Sequence, residues 1–328
     1  MNMQRLCACL GLGDLIAEPT PLQGGFLHRM VRLTTTHGDY AVKCLNPHVM
    51  SRPTAAANFA AAERLERQLE QTDLPLLPAL TIGGQKMQMV DGRYYYVFDY
   101  YPGVALTDDA ITPVHCRRIG WLLATLHGVH RRTDPHPREE CTIDWDDCIR
   151  LAASHPDLHA LLTRHREMLV TLQQRANAAL PHLPTDAAIC HNDMDPKNVL
   201  WQGDDCRIID LECLSYDSPY LELLETALCW AGYESGHTDP IRLAAFLDGY
   251  AANGGRLPTD WSALYDLNVG RLAWLEYNVR RALGIDCDPR ETAVGILEVH
   301  KTLTCLLGYH RHRDEILHIL QAYGKKES

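Results

Sequence analysis

The sequence has no run of about eighteen apolar residues, so it has no segment able to cross a bilayer as a helix. Near the start, the apolar stretch Leu6–Leu12 follows a single arginine and stops at Asp14, which is no secretory signal core. Leu6-Cys7-Ala8-Cys9 resembles a lipoprotein cleavage box but comes too early to follow a signal. There is no CxxC pair, and 12 cysteines in 328 residues are too sparse for a disulfide scaffold. Cys44, Cys190, Cys206 and Cys229 lie inside apolar stretches, where a free thiol behaves as a small hydrophobe, so reduced cysteines and a cytoplasmic location are expected. Basic charge is also in deficit: 31 Lys and Arg against 42 Asp and Glu leave a net charge of −11. Such a chain is ill suited to nucleic acid or an anionic membrane surface, and suited to a cationic small molecule. Repeats and low-complexity segments are absent, and no protein partner is expected.

What is present is an ordinary globular composition, 46% hydrophobic and 22% charged, in a chain long enough for two lobes. The first hundred residues read as strands around one helix. Met30–Thr35 and Asp39–Leu45 form β-type runs joined at His37-Gly38, and 86–90 and Arg93–Tyr100 form another pair through Asp91-Gly92. Between them Ala55–Glu70, without Gly or Pro, predicts a helix. After the break at Pro102-Gly103 the apolar spacing turns helical over 112–129, 158–179, 220–233, 241–253, 261–283 and 291–323. Two short strands interrupt these helices, Val199–Trp201 and Arg207–Ile209, connected through Gly203. The expected fold class is therefore α+β and bilobal: an antiparallel-sheet lobe with one main helix over residues 1–99, and a larger, mostly helical lobe over 100–328.

The chemistry concentrates in Cys190-His191-Asn192-Asp193-Met194-Asp195-Pro196-Lys197-Asn198, just before the first short strand. Asp210 closes the second. A hairpin starting after Asn198 and ending at Asp210 returns the second carboxylate to the first loop. Three oxygen-bearing side chains then converge, the donor set that a hard divalent cation such as Mg²⁺ takes alongside phosphate oxygens. Asp193 is left to accept a proton from an attacking hydroxyl. H-x-D-x-x-x-x-N followed by a strand-ending Asp is the spacing of a kinase catalytic loop. Upstream, Lys43 lies inside Tyr40-Ala41-Val42-Lys43-Cys44-Leu45, where an ammonium is costly unless it meets an anion. Glu63 on the following helix is its first candidate partner and Glu66 the second. Gly24-Gly25, before the first strand, lets backbone N–H groups approach a polyphosphate. A metal-dependent hydrolase needs further ligands at helical spacing, which His182 and His237 do not supply.

In this order these motifs resemble the aminoglycoside phosphotransferase and choline kinase-like family of small-molecule kinases, over about residues 20–283. The match rests on Gly24-Gly25, Val42-Lys43, Tyr96-Val97-Phe98-Asp99-Tyr100, Leu123-Ala124-Thr125-Leu126-His127, His191-Asn192-Asp193 through Asn198-Val199-Leu200, and Ile208-Ile209-Asp210-Leu211-Glu212. The resemblance implies a bilobal protein-kinase-like fold with ATP or GTP as phosphoryl donor and Mg²⁺ as cofactor. It implies Asp193 as catalytic base and Asn198 and Asp210 as metal ligands. Lys43 would grip the phosphates, and Phe98, Asp99, Tyr100 and Tyr101 would offer backbone contacts to the base. His191 would hold the loop in shape; Lys197 would reach the γ-phosphate or face solvent. His28 stands where relatives commonly carry Asn. His191-Asn192-Asp193 and Asp210-Leu211-Glu212 replace the H-R-D and D-F-G of protein kinases, and no activation segment follows, which points to a small-molecule alcohol as acceptor.

Acceptor candidates are Glu212, Glu222, Glu225, Trp230, Trp274 and Glu276, acids and aromatic rings suited to a cationic alcohol. The leading expectation is an aminoglycoside-like amino sugar, with antibiotic resistance and metabolism both open as its role. The alternatives are a choline/ethanolamine- or homoserine-type metabolite kinase and, from another class, a nucleotide-binding pseudokinase or scaffold.

Overall fold

The computed structural model describes all residues except 1, 23–27, 134–138, 268, 286, 288–290 and 325–328, and the side chain of Glu234. It divides into two compact units, Met1–Ala110 with His191–Ser215, and Ile111–Cys190 with Tyr216–Ser328.

In the first unit, helix α1 (Met3–Leu10) is capped by Asn2, whose side chain accepts from the Arg5 N–H, and ends at Gly11 in the left-handed region, φ 69°. Five strands follow as an antiparallel sheet in the order β1-β2-β3-β5-β4: β1 (Thr20–Leu22), β2 (Arg29–Thr35), β3 (Gly38–Cys44), β4 (Gln88–Val90) and β5 (Arg93–Asp99). Between β3 and β4 come the short α2 (Pro47–Met50) and the fifteen-residue α3 (Ala55–Leu69). The register pairs Val31 with Val42 and Val42 with Val97, so these share one face with Leu33 and Tyr95. Met3, Leu6 and Leu12 cover that face. The N-terminal apolar run is thus a core helix. The same register pairs Lys43 with Tyr96 on the opposite face, where Phe59 of α3 packs with Tyr96 and Ala79. Period-two alternation therefore aims the one buried lysine of β3 at the helix side of the sheet.

The second unit is mostly helical: α4 (Pro113–Val129), α5 (Trp145–Leu151), α6 (Pro156–Ala179), α7 (Pro219–Trp230), α8 (Pro240–Ala252), α9 (Ser262–Asp266), α10 (Val269–Ala282), α11 (Thr292–Arg311) and α12 (Arg313–Gly324). Thr112 caps α4 in a capping box with His115. Strands β7 (Arg131–Arg132) and β8 (Ala187–Cys190) pair antiparallel, with β6 (Val104–Ala105) preceding them in the first unit. One core joins Trp145, Leu162 and Leu169 to Leu272, Leu275, Val279, Val299 and Leu303. The sequence pattern over 261–283 predicts one helix and that over 291–323 another; the structure divides each. The first ends at Leu267, with ψ 34°. The second breaks at His312, next to Arg313, whose guanidinium grips Asp266 at 2.5 and 2.7 Å. Apolar spacing continues across both breaks, so periodicity alone cannot locate them.

The hairpin of β9 (Val199–Gln202) and β10 (Asp205–Ile208) belongs to the first unit. β9 pairs with β6, and Ile208 exchanges backbone hydrogen bonds with Pro75 and Leu77 at 2.8 and 2.9 Å. The compact unit thus differs in extent from the expected lobe of residues 1–99: it runs to Ala110 and takes in the Asp/Asn loop. Long-range strand pairing, invisible in local sequence, is the reason. All twelve cysteines are reduced, none in a disulfide. No helix among the described residues is long and apolar enough to cross a membrane.

Candidate active site

Every charged group of the site described next lies in the first unit. Lys43 is 7% exposed, and its ammonium donates to Asp210 Oδ1 at 2.5 Å and Glu212 Oε2 at 2.6 Å, partners 167 and 169 positions away. Burial alone drives the Lys43 pKa down, but the two carboxylates outweigh it and hold it above the ordinary lysine value. Glu212 is fixed at both oxygens. Its Oε1 lies 3.3 Å from His28 Nε2, and His28 Nδ1 accepts the Asn46 N–H at 3.0 Å. Since Nδ1 accepts, Nε2 carries the proton and donates to the carboxylate. Burial pushes the Glu212 pKa up, yet the hydrogen bond from His28 and the charge of Lys43 prevail and bring it to about 2.

The loop before β9 is held by its own side chains. His191, 1% exposed, accepts the Asp193 N–H at Nδ1 (3.3 Å) and donates from Nε2 to the Ile209 carbonyl (3.0 Å). Asn192 sits in the left-handed region at φ 63°, its amide donating to the Cys213 carbonyl (2.8 Å) and to Ser215 Oγ (3.0 Å). The Asn198 amide donates to both the main-chain oxygen and Oδ2 of Asp193, at 2.7 and 2.8 Å. Lys197 bridges Asp193 Oδ1 (2.9 Å) and Asp195 Oδ2 (3.1 Å). Burial and the neighbouring Asp195 raise the Asp193 pKa above the usual carboxylate value, against the pull of Lys197. Asp210 follows β10 at φ 64°, a left-handed residue that turns its carboxylate toward Lys43. The Asn198 main-chain oxygen receives the Ile209 N–H at 3.0 Å, which ties the two loops together.

This donor set fits a hard divalent ion. Both amide hydrogens of Asn198 are engaged by Asp193, which leaves its Oδ1 as a carbonyl donor, and Lys43 occupies only one oxygen of Asp210. Neutral and anionic oxygens without sulfur or imidazole suit Mg²⁺ better than a transition metal.

Around Lys43 a cleft is lined by Phe59, Ala62, Glu63, Glu66, Ala79, Tyr96, Phe98, Asp210, Leu211 and Glu212. Glu63 and Glu66 both reach it, but neither is hydrogen-bonded to Lys43. Glu63 accepts from the Tyr96 hydroxyl (2.8 Å) and the Met87 N–H (3.2 Å). Glu66 accepts from the Ala79 N–H (2.7 Å) and from Lys86, whose fully buried ammonium also meets Glu70. The expected partner of Lys43 on the helix is thereby corrected to Asp210 and Glu212. At the end of β5, the Tyr100 N–H is bound to the Asp39 carbonyl at 3.0 Å. Antiparallel alternation then gives Phe98 and Tyr100 to β3 and turns the backbone groups of Asp99 the other way, as the Leu80 N–H on the Val97 carbonyl (2.7 Å) already indicates. Gly24 and Gly25 lie outside the described residues.

The acceptor candidates differ in burial and partners. Glu212 is the partner of Lys43 and His28. In the second unit Glu222 is 5% exposed and bound to His127 Nε2 at 2.7 Å, while Tyr250 takes His127 Nδ1 at 2.8 Å. Trp230 is fully buried core. Glu222 and Trp230 are therefore internal: α7 is apolar nearly all round, so its acid and ring face inward. Glu276 is partly buried near Cys141 and Cys148. Glu225 keeps 55% of its side chain exposed beside Arg271, and Trp274 is 38% exposed, stacked on Tyr277. Sequence reading passed over Lys86 as a strand residue. Its surroundings, Gly83-Gly84-Gln85-Lys86-Met87-Gln88, are mixed in polarity and carry no signal like the apolar run that singled out Lys43.

Residues 18–267 match the family model described as the phosphotransferase enzyme family. No curated protein matches the chain. Among solved structures, a spectinomycin phosphotransferase in complex with ADP and spectinomycin is similar at TM-score 0.66 and 13% identity, covering 93% of this chain and 98% of that one. A microcompartment-associated aminopropanol kinase gives 0.63 at 14% identity, covering 96% and 98%. A choline/ethanolamine kinase family protein from Mesorhizobium loti gives 0.59 at 16%, covering 98% and 100%. At such identities the likeness is one of fold, and the family match over most of the chain adds the rest: this chain belongs to the phosphotransferase enzyme family and is a small-molecule kinase.

Proposed function

We propose that the protein is an ATP- and Mg²⁺-dependent phosphotransferase that phosphorylates a hydroxyl of an amine-bearing small molecule, an aminoglycoside-like amino sugar first among them. The observation that carries this reading is the meeting of Lys43 with Asp210, next to the loop in which Asn198 holds Asp193. Asp193 accepts the proton of the acceptor hydroxyl, and its raised pKa makes it a better base than an ordinary carboxylate. Asn198 orients that carboxylate through Oδ2. Lys197 lies on its other oxygen, where it can pass to the transferring phosphoryl group. Lys43 binds the donor phosphates, and Asp99 and Tyr101 offer the backbone edge left free by β3 to the base. Asn198 Oδ1 and Asp210 would hold Mg²⁺, which neutralises charge on the polyphosphate when bound. The chain's own part is positioning and electrostatics.

The amine preference rests on the acidic charge of the chain and on Glu225 and Trp274, the two most exposed acceptor candidates. That solved relatives in fold include a spectinomycin phosphotransferase and an aminopropanol kinase supports an amine-bearing alcohol. Nucleotide consumption measured against amino sugars and amino alcohols tests the reading. Asp193→Asn should abolish transfer to the best acceptor and leave binding of a non-hydrolysable ATP analogue intact. Undiminished turnover in that variant refutes the assignment.

A further inference from the structure

We propose that His28 is a positioning residue for Lys43, acting through Glu212 as a relay that begins at the backbone of Asn46. The proposal rests on the kinase reading above and adds the group that holds the phosphate-binding lysine in place.

A lysine ammonium has three rotatable donors on a flexible stem, so burial does not by itself fix its direction. Both helix carboxylates within reach are committed elsewhere, Glu63 to Tyr96 and Met87, Glu66 to Lys86 and Ala79. That leaves Asp210 and Glu212. Asp210 is shared with the proposed metal, so its hold on Lys43 changes when the metal binds. Glu212 carries no such second claim here, and its remaining oxygen is pinned by His28 at 3.3 Å. His28 is 6% exposed, and its other ring nitrogen is fixed by the Asn46 N–H at 3.0 Å. Phe59 flanks the ring with centroids 6.4 Å apart. The links between the Asn46 amide and Lys43 are thus two hydrogen bonds joined by the 3.3 Å contact of His28 with Glu212, all between buried or half-buried groups. The resulting geometry sets where the ammonium can meet a phosphate.

Side-chain shape separates the two nitrogens of His28. Gln places its amide nitrogen where Nε2 stands and can still donate to Glu212. Asn reaches only the Nδ1 position and keeps the Asn46 contact alone, and Leu loses both. The full-length protein, its His28→Gln, His28→Asn and His28→Leu variants, and Mg²⁺ are titrated with AMP-PNP, which carries the polyphosphate, and with adenosine, which does not. Loss of one hydrogen bond to a charged carboxylate predicts AMP-PNP affinity about tenfold weaker for Asn and Leu. Gln should lie near wild type, and adenosine affinity should be unchanged throughout. If Leu fails to fold, the Asn and Gln pair carries the same contrast. Equal AMP-PNP affinity in all variants, or a Gln variant as weak as Asn, overturns the relay while leaving the kinase reading in place. A parallel loss of adenosine affinity also overturns it, because a positioning role for Lys43 touches only phosphate contacts. A wild-type protein that binds neither ligand overturns the kinase reading itself, and the relay with it.

Discussion

Replacing Lys86 by Met removes the ammonium that holds α3 against the segment at Ala79. That ammonium is fully buried and donates to Glu66 Oε1 at 2.9 Å, to the Ala79 carbonyl at 2.9 Å and to Glu70. Met matches the stem in length and apolar character, so little packing is lost. What changes is Glu66, 5% exposed and left with only the Ala79 N–H at 2.7 Å. Removing one member of a buried pair costs about 3–5 kcal/mol, and the surviving hydrogen bond favours the lower end, about 3 kcal/mol. With a urea m-value of about 2 kcal/mol/M the unfolding midpoint should fall by roughly 1.5 M. Burial raises the Glu66 pKa above its ordinary value, against the pull of Lys86 and the Ala79 N–H. A carboxyl whose pKa is higher folded than unfolded penalises the native state at high pH. The penalty fades as pH falls through the folded pKa toward the unfolded one. Without Lys86 the Glu66 pKa rises further, so the defect should be largest at pH 7 and shrink toward the ordinary carboxylate range near about 4.3. Glu66→Gln combined with Lys86→Met removes the stranded charge and should recover most of the loss. Urea unfolding followed by circular dichroism reads all of this. A pH 7 loss under about 1 kcal/mol, or one that does not shrink on acidification, refutes the argument.

Other consequences follow from close packing in the second unit. A Cβ at Gly120 would lie 2.1 Å from the Phe246 carbonyl oxygen and one at Gly249 2.1 Å from that of Arg117, so α4 and α8 touch backbone to backbone at both positions. Gly120→Ala and Gly249→Ala should each cost about 2–3 kcal/mol, and a thermal melt that shows either variant unchanged contradicts the crossing. Trp230→Leu should destabilise by about 3 kcal/mol and leave the acceptor KM unaltered, since the ring is internal; a KM change at constant melting temperature would return it to the acceptor site. Glu225→Gln should do the reverse, raising the KM for an amine-bearing acceptor a few-fold with no change in melting temperature.

The sequence was most informative where one local pattern decides one local structure. The Ala-rich stretch from residue 55 is a helix within a residue of expectation, and both strands of the first hairpin are in place, because propensity and period two agree there. The short buried strand Ala187–Cys190 was missed. Four residues buried on both faces carry no alternation to detect. The helix of residues 3–10 was legible only as an apolar run, because its partner is a sheet formed later in the chain. The hairpin after Asn198 is legible as a hairpin, but its place in the first compact unit is set by pairing with Val104–Ala105 rather than by anything in its own residues.

The candidate site divides along the same line. Lys43, Asp193, Asn198 and Asp210 are each conspicuous in their own segment: a lysine in an apolar strand, two polar groups at fixed spacing, an aspartate closing a strand. The hairpin returns Asp210 to the loop of Asp193 and Asn198, and Lys43 meets Asp210 from β3. Which carboxylate each ammonium takes is a different kind of fact. Glu63, Glu66, Asp210 and Glu212 all line one cleft with Lys43, and Lys86 competes for the same helix. A carboxylate claimed by one cation is withdrawn from the other, so the pairing is a property of the whole cluster and no single motif encodes it. Lys86 secures Glu66 with the help of the Ala79 N–H, Tyr96 secures Glu63, and Lys43 is left with the pair on the far loop. His28 then becomes intelligible: with the helix glutamates engaged, the lysine's orientation depends on Glu212, and Glu212 needs a donor of its own.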